Sequence, residues 1–248
     1  MTEILYEFPL NEKIRTYLRI EHLLNRLEYQ CGHNEQWAVL DFLNALFAIL
    51  DIIERGDLKS DLLKDLEKHE KQLVAWAQHP SVNNSALQQL LSSVVEMSGR
   101  LMSSNKLGQS LRDDKFLASI KQRFSIPGGS CCFDLPHMHQ WLHQSQQVIE
   151  QNQHAWLAEL DILQTVIELD LRMVREKAQY LECQAEAGLY QNTVENVELL
   201  RIKLPADSPY YPTVSGHKNR FAIRFMQNDQ QQNKSACQQA LIFKLATC

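Results

Sequence analysis

Residues 199–226 read LLRIKLPADSPYYPTVSGHKNRFAIRFM. Two runs inside this stretch alternate with a period of two. Leu200, Ile202 and Leu204 alternate with Arg201 and Lys203, and Phe221, Ile223 and Phe225 alternate with Arg220, Ala222 and Arg224. A third run follows, in which Leu241, Phe243 and Leu245 alternate with Ile242 and Lys244. Such alternation puts one face in a core and the other in water, so the reading is three strands of a half-exposed antiparallel sheet. Pro205, Pro209, Pro212 and Gly216 read as loop residues between the strands, and the Gln/Asn-rich residues 227–233 as a mobile hairpin tip. Three strands need a further partner for stability. The N-terminal run Glu3 to Phe8, with Ile4, Tyr6 and Phe8 on one face and Leu5 and Glu7 on the other, is the candidate to join them.

Between these ends the period is helical. Pro9 closes the first strand and Asn11 is a suitable N-cap for a helix carrying Ile14, Leu18, Leu24 and Leu27. Further helices are expected at about 35–54, 59–78 and 85–103, with Gly56 and Pro80 as stops. A shorter helix holds Leu111, Phe116, Ile120 and Phe124. After the turn Pro127-Gly128-Gly129, Asp134 reads as the N-cap of a helix with Pro136 in its first turn. The stretch from about Asn152 to Ala187, with Trp156, Leu160, Leu163, Ile167, Leu171 and Val174, reads as one helix closed by Gly188. At roughly 50 Å such a helix would outrun a small domain, so its stripe is either core or in part a subunit seam. The fold class is therefore mainly α with a small antiparallel sheet (α+β): a bundle-like helical domain over 10–190, and a sheet domain from 3–8 and 197–247.

The composition is that of an ordinary globular protein, 44% apolar and 22% charged in 248 residues. Only 8 Gly and 7 Pro are present, which argues against a β-sandwich and a glycine-rich nucleotide fold. No apolar leader opens the chain, and the apolar zone Val39 to Ile53 is interrupted by Asp41, Asn44 and Asp51, so neither export nor a membrane span is expected. Six cysteines then read as reduced intracellular thiols.

Charge separates the chain into two parts. Net charge is −5 overall, but residues 199–248 hold seven basic and two acidic side chains, while the rest carries net −10. Arg201, Lys203, Arg220, Arg224 and Lys244 all fall on the exposed parity of their strands. A sheet with one cationic face is a docking surface for an acidic partner. The plainer alternative is that Lys and Arg keep the strands soluble and their edges protected. A second basic row, Arg15, Arg19, His22 and Arg26, runs along the first helix.

Motifs for catalysis are absent. His137, His139 and His143 lie close to Cys131 and Cys132, but no zinc spacing appears. Gly128-Gly129 lacks the Lys-Ser/Thr of a P-loop, and there is neither a nucleophile elbow nor a dinucleotide fingerprint. Cys132 with His137 is a conceivable nucleophile pair that nothing in the sequence fixes in place. No enzyme activity, cofactor or metal is expected.

Four segments together resemble one family. ILYEFPLNEKIRTYLRIEHLL (from Ile4), ERGDLKSDLLKDLEK (from Glu54), LGQSLRDDKFLASIKQRFSIPGGSCCFDLPHMHQWLH (from Leu107) and YYPTVSGHKNRFAIRFM (from Tyr210) are similar, in order, to the ZapD family of proteobacterial cell division proteins. The resemblance implies a cytoplasmic, non-enzymatic homodimer at the mid-cell division site, built from a helical and a β-strand domain. It implies binding to the C-terminal tail of the tubulin-like GTPase FtsZ and cross-linking of FtsZ filaments into bundles, which stabilises the Z-ring. Neither nucleic acid nor direct membrane insertion belongs to that function. The family binds FtsZ through basic surface residues, and the matching positions are Arg19, Lys115, His139 and Arg220. Lys115 stands where the family also has Arg, and lysine cannot make the bidentate carboxylate contact of arginine. On physical grounds Arg15, Arg112, Lys218 and Arg224 join this set: Arg15 lies one turn from Arg19, and Arg224 shares a strand face with Arg220. The alternative from another class is a nucleic-acid-binding regulator using the same basic sheet face, against which the net charge of −5 counts.

Overall fold

The computed structural model describes residues 2–33, 35–77, 84–217, 219–228 and 233–248. Its elements run β1 (Glu3–Pro9), α1 (Glu12–Gln30), α2 (Gln36–Glu54), α3 (Leu58–Trp76), α4 (Asn84–Ser103), α5 (Gln109–Asp113), α6 (Lys115–Phe124), α7 (Pro136–Leu142), α8 (Gln146–Ala158), α9 (Asp161–Arg175), β2 (Leu181–Ala185), β3 (Leu189–Thr193), β4 (Leu199–Pro205), β5 (Tyr211–His217), β6 (Arg220–Asn228), β7 (Lys234–Ala236) and β8 (Leu241–Thr247). The fold is α+β, as its periodicities require. It divides into two compact units, one of Met1–Leu18 with Leu171–Cys248 and one of Arg19–Asp170.

The helical unit is centred on α2. This helix is long and apolar enough to span a bilayer by length and composition. Most of its apolar surface is instead covered by protein, with Phe42, Leu43, Ala45, Leu46 and Ile49 fully buried and Trp37 at its start exposed. A helix apolar on nearly all sides is a core helix. α3 begins where Asp57 caps it, accepting from the Ser60 N–H at 3.3 Å. Pro80, the expected stop after α3, lies outside the described residues.

Three helical expectations are corrected. The helix expected over Leu111 to Phe124 is two, because Asp114 is extended (φ −63°, ψ 118°) and caps α6 by accepting from the Leu117 N–H at 2.9 Å. Asp134 does not cap α7. Leu135 holds that position, Pro136 opens the helix, and Asp134 meets Arg123 at 3.7 Å. The helix expected from Asn152 to Ala187 breaks after Ala158 and ends at Arg175. Its stripe, Trp156, Leu160, Leu163, Ile167, Leu171 and Val174, is buried. At only about 22 Å, α9 does not outrun a small domain, and its length gives no reason for a subunit seam.

In the strand unit Asn11 does cap α1, its Oδ1 accepting from the Ile14 N–H at 2.8 Å. The expected single sheet is two antiparallel sheets. One has the order β1-β4-β8-β2; the other is β3-β6-β5, with β7 also paired to β6. They share one core, in which Leu200, Ile202, Leu204, Phe243 and Leu245 of the first meet Phe221, Ile223 and Phe225 of the second. The scarcity of Gly and Pro did not prevent a two-layer β unit, since its few glycines sit where they are needed. Gly188, expected to close a helix, is the second residue of a hairpin turn between β2 and β3. Ala187 and Gly188 both have positive φ (45° and 69°), and Leu189 N–H reaches Glu186 O at 2.9 Å. Two consecutive left-handed residues match the twist of the flanking strands. A Cβ on Gly188 would lie 2.5 Å from the Cys237 carbonyl oxygen, so the turn admits only glycine. The tip expected at 227–233 falls partly outside the described residues.

Candidate functional site

The outer faces of the two sheets follow from register. In the first sheet β1 pairs with β4, setting Glu7 opposite Arg201 and Leu5 opposite Lys203, and β4 pairs with β8, setting Lys203 opposite Lys244. The acids of β1 therefore lie on the same face as the cations of β4 and β8. Glu3 meets Lys203 at 3.5 Å and Lys244 at 2.8 Å. Glu7 accepts from Arg175 at 2.7 and 2.9 Å and from Arg201 at 2.9 Å. The hydrogen bond and charge of Lys244 hold the Glu3 carboxyl below the usual carboxylate range, and Glu3 raises the Lys244 ammonium in return. Tyr180 lies beneath both remaining cations, its ring centroid 4.2 Å from Lys203 Nζ and 5.5 Å from Arg201 Cζ. Burial pushes its phenol up.

The second sheet is different. Arg220, Ala222 and Arg224 share the outer face of β6. Opposite them stand Thr193, Gln191 and Leu189 of β3, and on the other side Ser215 faces Ala222 and Thr213 faces Arg224. No carboxylate occupies this face among the described residues. Arg220 and Arg224 are exposed, and neither has an ion-pair partner there. The single cationic sheet face expected from sequence is thus corrected: its five cations are divided, with Arg201, Lys203 and Lys244 neutralised on one sheet and Arg220 and Arg224 unmatched on the other. The signal was present in the sequence, since Glu3 and Glu7 share the outward parity of a strand already assigned to that sheet.

The remaining site residues differ in their surroundings. Arg15, in the strand unit, is paired to Glu12 one turn earlier. Lys218 lies outside the described residues. In the helical unit Arg19 is exposed on α1. Lys115 is exposed at the first position of α6, where a cation opposes the helix dipole, so helix stability does not explain its presence. The start of α6 is fixed by Asp114, which also accepts from Trp156 Nε1 at 3.2 Å. The Phe116 ring next to Lys115 packs on Trp141 at 5.0 Å and on His137 at 6.0 Å, joining the start of α6 to α7. His139 lies on α7 between these two contacts, its ring 4.5 Å from that of His143. Arg112 is committed inward. Its Nη2 donates to Leu107 O at 2.7 Å and to Gln109 Oε1 at 3.3 Å, fastening the turn at Gly108.

His137 bonds Ser119 Oγ at 2.9 Å through Nε2 and is not engaged with Cys132. All six cysteines are free, and among the described residues no three His, Cys, Asp or Glu side chains are grouped to hold a metal ion.

Fold and register together define an α+β protein with one neutralised and one acid-free cationic sheet face among the described residues. The ZapD family model, described as a cell division protein, matches residues 18–224. The chain is 43% identical over 243 residues to the cell division protein ZapD of Aliivibrio salmonicida, covering 98% of this chain and 97% of that one. It is 41% identical over 248 residues to the ZapD of Vibrio cholerae, covering all of both chains. With the ZapD of Cronobacter sakazakii it shares 38% identity over 247 residues, covering 100% of this chain and 99% of that one. The chain belongs to the ZapD family, and its role is in cell division.

Proposed function

We propose that this protein is a non-enzymatic cytoplasmic factor of the division site that binds the C-terminal tail of FtsZ and, as a homodimer, cross-links FtsZ filaments into bundles. The observation that carries the reading is the acid-free cationic face of β6, where Arg220 and Arg224 stand exposed among hydroxyl and amide side chains. Unmatched arginines on a flat polar face favour a carboxylate-bearing segment. Arg19, Lys115 and His139 provide further basic contacts from the helical unit, with Lys218 beside Arg220 in sequence and Arg15 one turn from Arg19. Arg112 acts behind them by holding its own turn. A disordered tail must be ordered on binding, so each contact is weak. A two-fold dimer offers two such surfaces and a filament offers many tails, so avidity turns weak contacts into bundling.

The test is binding of an FtsZ C-terminal peptide to the wild type and to Arg19→Glu/Arg220→Glu, with folding followed by circular dichroism. Loss of binding in a folded double variant is expected. Equal binding by both proteins removes these residues from the site. If neither binds the peptide and the wild type instead binds duplex DNA or RNA in a salt-dependent way, the nucleic-acid reading replaces this one.

A further inference from the structure

Three bonds fix the direction of the backbone groups on the second sheet. Phe225 N–H donates to Gly188 O at 2.8 Å, Cys237 N–H donates to Phe225 O at 2.9 Å, and Val194 N–H donates to Asn219 O at 3.0 Å. Phe225 and Asn219 therefore turn their polar groups toward the β3 and β7 side of β6. By the two-residue period, Ala222 and Arg224 turn theirs toward β5. These residues pair with Ser215 and Thr213. The N–H and C=O groups of Val214 and Gly216, and the C=O of Pro212, consequently point away from the sheet. Pro212 fits at such a position because its missing N–H would have faced outward.

β5 is an edge strand, with β6 on one side only. Among the described residues no other backbone group bonds to its outer side. The opposite edge, β3, is better protected. Its Leu189 N–H is taken by Glu186 O at 2.9 Å, and its Thr193 N–H by Asn192 Oδ1 at 2.8 Å. Both edge strands of the other sheet carry carboxylates, Glu3 and Glu7 on β1 and Glu182 on β2. Tyr211 to Gly216 carries no charge at all, although proteins commonly protect open edges with charged side chains.

We infer that an extended acidic peptide docks by adding as a strand to the outer edge of β5. The inference rests on the tail-binding reading above and gives it a binding mode. Main-chain bonds to Val214 and Gly216 would supply affinity, and the arginines of β6 would supply selection. On the added strand, side chains level with Thr213 fall in the row of Arg224. Those four residues away fall in the row of Arg220, about 13 Å along the strand. Thr213, the residue between Arg224 and the added strand, is short, so that guanidinium can lean across, while Arg220 shares its row with His217 of β5. The peptide is thus extended, with carboxylates four residues apart. Charge decides the occupant, because an acidic strand meets arginines at β5 and carboxylates at β1.

Two probes test this: the FtsZ C-terminal peptide and a designed Thr/Val-rich peptide with Glu at every fourth position. Amide hydrogen exchange of the full-length protein is followed by NMR with each. The expected result is slowed exchange at Val214 and Gly216. N-methylation of alternate peptide residues should weaken binding about tenfold in one register and leave it unchanged in the other. Protection with the designed peptide but no binding of the FtsZ peptide retains the docking mode and removes FtsZ as the partner. Binding of either peptide without protection at those two amides, or equal tolerance of both N-methyl registers, overturns strand addition, as does failure of both peptides to bind.

Discussion

The outer faces of the two sheets have similar sequences and opposite electrostatics. Both alternate apolar residues with Arg or Lys, and both present their cations on the solvent side. On the first face every one of the three cations has Glu3 or Glu7 within ion-pair distance, and Arg175 adds a fourth cation to the same pair of acids. On the second face Arg220 and Arg224 look out over Thr, Ser and Gln. The first is a closed network that holds β1, β4, β8 and the end of α9 together. The second leaves its two arginines without a carboxylate among the described residues. A count of basic residues cannot tell these apart; pairing register can.

Breaking the first face should cost stability. Glu7→Gln leaves Arg175 and Arg201, both largely covered, without their shared carboxylate, and removing one partner of a buried pair costs 3–5 kcal/mol. Glu7 and its partners keep about a fifth of their surface, so the expected loss is about 2 kcal/mol in urea unfolding. An unfolding midpoint equal to wild type would sink the network argument. Breaking the second face should cost affinity instead. Arg220→Glu/Arg224→Glu should weaken tail binding about 30-fold while moving unfolding by no more than about 0.5 kcal/mol. Raising salt from about 0.1 to 0.4 M sharpens the same contrast: tail binding should fall several-fold, and bundling with it, while the unfolding midpoint stays nearly constant. Bundling that sediments equally well at both concentrations would show that charge does not drive it.

Two smaller effects refine the comparison. Lys115→Ala should reduce tail binding two- to threefold yet raise helix stability by a few tenths of a kcal/mol, because it removes a cation from a helix N-terminus. Both changes should appear in one titration and one melt. Acid should loosen the first face slightly. The Glu3 carboxyl sits below its ordinary range when folded, so its contribution is present above that range and is lost as pH falls through the lowered value. The signature is a small acid-side loss of stability that Glu3→Gln abolishes.

Much of this was legible in the sequence. Three of the eight strands and the N-terminal one announced themselves by alternation, and the long helices by their 3.6-residue stripes. What stayed hidden has physical causes. β2 (LECQA) and β3 (LYQNT) contain no β-branched residue except Thr193, and Leu, Glu, Gln and Ala also suit a helix, so tertiary pairing with β8 and β6 decided their state. β5 was obscured by Pro212 and Gly216, which read as loop signals until the edge position explains the proline. The split of the cations depends on which strands share a sheet, a long-range fact that alternation does not encode. Arg112 shows the same limit for single residues, since nothing in LRDDK distinguishes a guanidinium aimed at solvent from one bonded to Leu107 O.

The pairing of β1 with β4 has a consequence for how the chain is made. Glu3 pairs with Pro205 and Pro9 with Leu199, so β1 leaves the ribosome roughly 190 residues ahead of its partner β4. At about 5–20 residues per second that is on the order of 10–40 s, during which the whole of residues 19–170 is synthesised. Throughout that interval Ile4, Leu5, Tyr6 and Phe8 belong to an orphan strand with no sheet to enter. Glu3 and Glu7, which later bind three cations of the finished sheet and Arg175, flank Ile4, Leu5 and Tyr6 in that sequence. Before they are structural ligands, they are the charges that keep an unpaired strand from joining the wrong neighbour.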